Sequence, residues 1–438
     1  MYDHVKGVRD FYPDEMRARR RVIDSLEAVA RRYGFREIGT PAIEGADLYI
    51  DKSGEEIVDE LYSFEDKGGR RLALTPELTP TVARMIVAKQ QELAKPIKWF
   101  STRPFWRYEQ VQQGRYREFY QLNADIFGSG APEADAEVLA FAADALTDLG
   151  LGSEDFEFRV SHRDILGGLL ESIDPGVRTT EAIRAVDKRE KIETAEYYDL
   201  LEAAGLDREG AREFDAVLSA GDIGEVRSFA DTDRVDEAVS NLEAVLAAAE
   251  DFGVGEYLTL SLDTARGLDY YTGVVFECFD STGEVSRSVF GGGRYDDLIE
   301  SVGGQPTPAV GVAPGLAPLG LLLKRAGVWP DDPIETDYYV LRVGDDEEVR
   351  TQAARITREL RSRGHVTETD VSGRSFGAQM GYADSIGAET VVVVGEQDLA
   401  DGVVTVKEME SGDQTTAPVE SFPGEGDRPT YGTFADDS

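Results

Sequence analysis

Histidine, cysteine and lysine are scarce in this 438-residue chain. The three histidines, His4, His162 and His365, lie far apart without ligand spacing, which argues against a histidine-built zinc site. Cys278 stands alone. That excludes an internal disulfide and a cysteine-cluster metal site, and it suits a reducing compartment. No stretch of about 18 apolar residues is present to span a membrane. The opening MYDHVKGVRDFYP has no apolar core of a secretory signal. The expectation is a cytoplasmic protein without internal repeats. Ten of the 46 basic residues are lysine and the rest arginine.

Acid is plentiful. Asp and Glu number 85, for a formal charge of -39. Apolar residues make up 41%, enough for cores in two or three domains. They recur with helical and strand periods, so the charge reads as a solvated surface suited to high salt, not as disorder. A nucleic-acid partner is compatible with this charge only through a local basic patch.

Residues 99–127, WFSTRPFWRYEQVQQGRYREFYQLNADIF, contain such a patch. Arg103, Arg107, Arg115 and Arg117 lie within it and Lys98 beside it. The pattern is two strands joined by a long basic loop around Gln112, Gln113 and Gly114. Alternation in the second arm puts Phe119, Gln121, Asn123 and Asp125 on one face.

Along the rest of the chain, residues 14–34 read as an amphipathic helix. Val22, Ile23, Leu26, Val29 and Ala30 recur at helical spacing, and Gly34 ends it. Residues 35–41 read as a strand, 62–74 as a hairpin, 81–91 and 134–149 as helices, and 156–160 as a strand. Residues 161–251 read as a helical insertion without strands. Strands return at 257–262 and 273–279, and a helix at 316–325. A Pro/Asp linker at 329–335 leads into alternating strands and helices, a small α/β domain with parallel strands. The organisation is therefore a core in two parts, 1–160 and 252–328, interrupted by 161–251. The second domain is 336–422, and an acidic tail, 423–438, is loose from about Phe422.

Four clusters carry possible chemistry. Glu77 and Thr79 sit in the Pro-flanked run Leu74 to Thr79, either as a helix cap or aimed at a ligand's ammonium group. The basic hairpin is the second. The third is RGLDYY, Arg266 to Tyr271. On a strand, two adjacent tyrosines face opposite sides, and Arg266 offers a fork of donors suited to phosphate. The fourth is GGGRY, Gly291 to Tyr295, either a tight turn or a close approach of backbone to a ligand. It has neither the Walker pattern nor the dinucleotide fingerprint.

In this order the clusters resemble those of histidyl-tRNA synthetases, class II aminoacyl-tRNA synthetases. RPFWRYEQVQQGRYREFYQ is similar to the second class II motif. RGLDYY and GGGRYDDLI are similar to the two histidine-specific motifs, and KGVRDFYP to the family's opening. The resemblance implies an α+β core, an antiparallel sheet of six or seven strands flanked by helices. It also implies a helical insertion and a C-terminal α/β anticodon-binding domain. It further implies a homodimer built on the first motif, ATP with Mg²⁺, L-histidine and tRNA(His) as ligands, and no metal held by protein side chains.

By the same resemblance, Arg107 and Arg266 are catalytic, flanking the α-phosphate. Glu77, Thr79, Gln121, Asp125, Tyr270 and Tyr271 bind histidine, with Asp125 and Tyr271 reading the imidazole. Arg107, Arg115, Arg266, Gly293 and Arg294 bind ATP. Gln112, Gln113, Gly114 and Arg115 lie near the tRNA acceptor end. Two departures stand out. Where the third motif has Glu and Arg, this chain has Ala317 and Pro318, and Thr75 stands where many members have Arg. The alternative reading is the histidine-sensing regulatory subunit of ATP phosphoribosyltransferase, which typically lacks both the second domain and the Arg of RGLDYY.

Overall fold

Pro13 opens the first helix, α1 (Pro13–Arg32), with Asp14 and Glu15 in its first turn and Arg31 and Arg32 in its last. That arrangement satisfies an N1 proline and complements the helix dipole. Gly34, at φ +77°, stops it. Phe35 N–H bonds Ala30 O and Gly34 N–H bonds Arg31 O, a Schellman cap. The computed structural model describes residues 2–50, 59–189, 192–220, 223–265, 270–331 and 336–424. Two units divide after Pro330.

The first unit continues through β1 (Arg36–Glu37), β2 (Ile43–Gly45), α2 (Asp47–Ile50), β3 (Ser63–Glu65) and β4 (Arg71–Leu74). Next come α3 (Thr79–Lys89), β5 (Ile97–Trp106), β6 (Glu118–Phe127), α4 (Pro132–Thr147) and β7 (Phe156–His162). Helices α5 (Arg163–Ile173), α6 (Thr179–Lys188), α7 (Thr194–Ala204), α8 (Arg208–Ala220), α9 (Ile223–Phe229) and α10 (Asp233–Asp251) follow. The unit closes with β8 (Leu258–Leu260), β9 (Val274–Asp280), β10 (Phe290–Arg294), α11 (Leu298–Ser301), β11 (Ala309–Val312) and α12 (Leu316–Arg325).

Eight strands form one sheet in the order β1-β5-β6-β11-β10-β9-β7-β8. Its interior pairs are antiparallel, as expected, but the edge pairs β1–β5 and β7–β8 are parallel. The sheet is therefore wider than six or seven strands. Strands β2, β4 and β3 form a small separate sheet. One face of the large sheet buries Leu122, Ala124 and Ile126 in a core shared with α1 and α4. Phe105, Phe127, Val275 and Tyr295 belong to a second core with Leu78, Val82 and Ile86 of the α3 region.

The helical stretch begins at Arg163, because Ser161 and His162 complete β7. It does not close a core of its own. Val235, Val239, Leu242 and Val245 of α10 belong to the same apolar cluster as α4 and the sheet. Burying each such side chain contributes about 1.5–3 kcal/mol, so these helices stabilise the sheet that carries the site.

The second unit is a five-stranded sheet, β13-β12-β14-β15-β16 in order. It is formed by β12 (Thr336–Val343), β13 (Thr367–Thr369), β14 (Ala388–Gly395), β15 (Val403–Glu408) and β16 (Gln414–Pro418), with α13 (Glu347–Ser362), α14 (Phe376–Ser385) and α15 (Glu396–Ala400). The first three strands are parallel, but β15 and β16 are antiparallel. The expectation of an all-parallel domain missed this polar hairpin. Phe422 is not the start of a loose tail: it is buried in this unit's core, and its carbonyl accepts from Arg355. Most of the linker (332–335) and of the tail (425–438) lie outside the described residues.

Candidate active site

The strand β6 alternates as its sequence requires. Across from Gln121, Asn123 and Asp125 on β5 stand Arg103, Ser101 and Trp99. On the other side Gly311 of β11 faces Asp125, and Gly293 of β10 faces Gly311. These two glycines make a floor. A Cβ at 311 would overlap Asp125 Oδ1, and one at 293 would lie 2.8 Å from Val274 O and 2.9 Å from the Tyr271 ring. Gly293 thus makes room for Tyr271.

Asp125 is 4% exposed. The Tyr295 hydroxyl donates to its Oδ1. Burial pushes the Asp125 carboxyl up to about 7, against the lowering effect of the Tyr295 bond. Beside it, the Tyr270 and Tyr271 rings lie 5.1 Å apart and the Tyr270 and Tyr295 rings 5.7 Å. The tyrosine pair is not on a strand, since β9 begins only at Val274. Freed from strand alternation, both rings pack against Tyr295.

Tyr270 donates its hydroxyl to Glu77 Oε2 at 3.1 Å and also bonds the Thr79 side chain. Burial and the Glu77 carboxylate hold this phenol well above its usual range. Leu78 is the N-cap of α3, with no side-chain cap bond. The capping reading of this run therefore fails. Glu77 and Thr79, both buried, turn toward Tyr270 instead. Gln121 donates to Asn123 Oδ1 at 2.8 Å. One buried network thus links Glu77, Thr79 and Tyr270, and through tilted and edge-to-face ring contacts reaches Tyr271, Tyr295 and Asp125.

The arginines divide sharply. Arg107 follows β5 and donates Nε to Pro76 O at 3.0 Å, next to Glu77. Its guanidinium lies 5.5 Å from the Phe119 ring, and among the described residues its terminal nitrogens have no hydrogen-bond partner. Arg115 is exposed, pairs with Glu109 Oε2 at 2.9 Å, and closes a turn with Gln112. Gly114 takes φ +73° there and is buried against Leu321 and Arg287, while Gln112 and Gln113 are exposed.

Arg294 is not free for ATP. Its Nε donates to both oxygens of Asp135, at 3.0 and 3.1 Å, and its Nη1 to Ser129 O and Asp296 Oδ1, each at 3.0 Å. Only 5% exposed, it is an internal tie to α4. Arg103 is likewise spent, on Thr40, Pro41 and Thr75. Arg266 lies outside the described residues.

The histidyl-tRNA synthetase family matches residues 7–319, and the anticodon-binding domain family matches 337–425. The histidine–tRNA ligase of Natronomonas pharaonis is 70% identical over 435 residues, covering 99% of this chain and 100% of its own. That of Pyrococcus abyssi is 39% identical, covering 96% and 97%. The crystal structure of histidyl-tRNA synthetase from Nostoc sp. aligns with a TM-score of 0.78 at 25% identity, covering 96% and 97%. The chain belongs to the histidyl-tRNA synthetase family.

The start of α12 adjoins β6. Gly315 bridges Gln121, and Leu122 N–H bonds Pro314 O at 3.0 Å, so the third motif is tied to β6 by backbone alone. Ala317 and Pro318 bring no charge to that junction. Sequence reasoning left two members of the pocket unassigned. Tyr295 sits two residues after Gly293 in GGGRY, so alternation placed it on the Gly293 face. Gly311, in the run leading to Pro314, carried no local signal, because its role depends on Asp125, across the sheet.

Proposed function

We propose that this chain attaches L-histidine to tRNA(His) through a histidyl-adenylate. The observation that carries this reading is the buried Asp125 carboxyl, held by one phenol over a glycine floor and, among the described residues, without a countercation. Such a carboxylate accepts an imidazole N–H, and side chains unable to donate there leave it unpaired. Tyr271 supports recognition of the second ring nitrogen. Glu77, with Thr79 and Tyr270, suits the substrate ammonium, and Gln121 the carboxylate end.

Arg107, fixed through Nε and open at both terminal nitrogens, suits the α-phosphate of ATP at the point of attack. The histidine carboxylate oxygen bonds to that phosphorus as pyrophosphate leaves. The terminal ribose hydroxyl of the tRNA then takes the acyl group and AMP leaves. Arg266 is assigned to the other side of the same phosphate on its motif. Mg²⁺ would come with ATP and would supply charge neutralisation at its phosphates, with no side chain of this chain assigned to hold it. Arg115 lies at the loop carrying Gln112 and Gln113, suited to the ATP tail and the acceptor end. The second unit suits the anticodon, and α1 with the strand after it suits a homodimer interface. Among the described residues no helix is long and apolar enough to cross a membrane, which is compatible with a cytoplasmic site of action.

Pro318, in place of the third-motif Arg, is the one feature that favours the sensor reading. ATP–pyrophosphate exchange, measured with each amino acid in high KCl, separates the two. Exchange driven by histidine alone is expected. Histidine binding without exchange would replace the ligase reading by the sensor.

A further inference from the structure

Where α12 begins, the N-terminal segment and α1 bring two arginines together around one acid, Glu118. Arg19, on α1, is 5% exposed. Its guanidinium carbon lies 3.7 Å from the Phe11 ring centroid and 5.1 Å from that of Tyr120. Arg9 stacks on Tyr116 at 3.6 Å and reaches Phe11 at 5.0 Å. The Nε of each is shut from solvent without a hydrogen-bond partner. Among the described residues neither arginine makes an ion pair within 4.0 Å. Burial, then the charge of Arg9, holds Arg19 below its usual range, while Glu15 and Glu118 pull the other way without reaching it.

A shortage of acids does not explain this pair, because the chain has 85 acidic residues for 46 basic ones. Nor do the aromatic rings satisfy it. A ring face attracts the flat side of a guanidinium, whereas an Nε–H points outward in the guanidinium plane and needs an acceptor there. A buried cation without one is costly. Between the two arginines lies a cavity of about 10 Å³, lined also by Phe11, Glu118, Tyr120 and Ala317. That is room for about one water-sized species, too little for a phosphate group. Ala317 stands where the family's third motif has a glutamate, so Arg9 and Arg19 share the cavity with one carboxylate, Glu118, and one positive charge is left over.

We propose that Arg9 and Arg19 bind one small inorganic anion of the chloride class in this cavity, in place of the carboxylate that Ala317 lacks. The bound anion joins three segments: the N-terminal stretch, α1 and the start of α12. Through Gly315, α12 is bridged to Gln121, so the anion also braces one end of the candidate site. The inference does not depend on the reaction catalysed, and its test does not measure activity.

Thermal unfolding of the full-length protein, at fixed potassium with chloride exchanged for gluconate, reads the site directly. Gluconate is too large to enter. The wild type is expected to gain a saturable rise of roughly 2–4 °C in Tm with chloride. Ala317→Glu, which supplies the carboxylate covalently, and Arg9→Gln, which removes one cation, should both lose that dependence. An unsaturable or absent response in the wild type, or the same response in both variants, would overturn the proposal. Crystals grown in bromide provide a readout independent of how the variants fold. An anomalous peak between the two Nε atoms is expected. A cavity without one, or one filled by a carboxylate from a second copy, would count against it.

Discussion

Arg294 and Tyr295 are neighbours in the chain and hold two buried aspartates by opposite means. Arg294 grips Asp135 with its guanidinium, and the pair is 5% and 1% exposed. Tyr295 gives Asp125 a single hydroxyl, and among the described residues no cation pairs with that carboxylate. One aspartate is neutralised and fastens α4 to the sheet. The other is left in need of a partner. A buried ion pair contributes to the architecture and is strongly missed when broken. A buried carboxyl without a countercharge lowers stability in its ionised form, and its retention beside a polar pocket points to ligand recognition.

The largest expected effect separates the two aspartates by readout. Asp125→Asn keeps the shape and removes the carboxylate. Histidine-dependent pyrophosphate exchange should fall by about 10³-fold or more, with Tm near neutral pH unchanged or higher. Asp135→Ala should instead cost about 3–5 kcal/mol of stability, by leaving the buried Arg294 charge with only the more exposed Asp296 as counterion; urea unfolding would measure it. If Asp125→Asn proved the more destabilising of the two, the roles assigned here would be reversed.

A smaller effect concerns pH. The folded-state value of Asp125 is raised, from an ordinary 3.8 to about 7. Its stabilising contribution is therefore full below about pH 3.8 and is lost as pH rises through about 7. The slope of Tm against pH in this window should be shallower in Asp125→Asn. Tyr295→Phe removes the bond that lowers the Asp125 value, so the loss should move to higher pH, at a cost of about 1 kcal/mol. A Tyr295→Phe profile overlying that of the wild type would show that the hydroxyl does not act on Asp125.

The smallest effect belongs to the loop. Arg115 and Glu109 form a pair that is half exposed on the arginine side, so Arg115→Ala should change stability by less than about 1 kcal/mol. Its expected signature is a raised KM for ATP in the exchange reaction. A stability loss like that of Asp135→Ala would make Arg115 structural, as Arg294 is.

Period-2 alternation made the 99–127 hairpin legible, because the spacing of Gln121, Asn123 and Asp125 depends only on strand geometry. Helix α1 was legible for the same reason, with its cap at Gly34. Arg294 was not. A basic residue after three glycines has the same local pattern whether it meets phosphate or Asp135, and its acid lies 159 residues away. Tyr270 and Tyr271 were misread as strand residues because their run borders β9 without belonging to it. The hairpin of β15 and β16 was missed because β16, QTTAP, is largely exposed and carries little apolar alternation, although β15 packs Val404 into the core.

By itself, the sequence determined the periods, the turns, the charge and the motifs that place the chain in its family. Those properties are local, or they are sums over residues. Only the tertiary structure decided which charges are spent and which remain open. Arg107 keeps its terminal nitrogens, Arg294 spends its guanidinium, and Asp125 meets a phenol instead of a cation. The reason is physical: the state of a buried charge depends on what packs against it, and those neighbours come from distant parts of the chain.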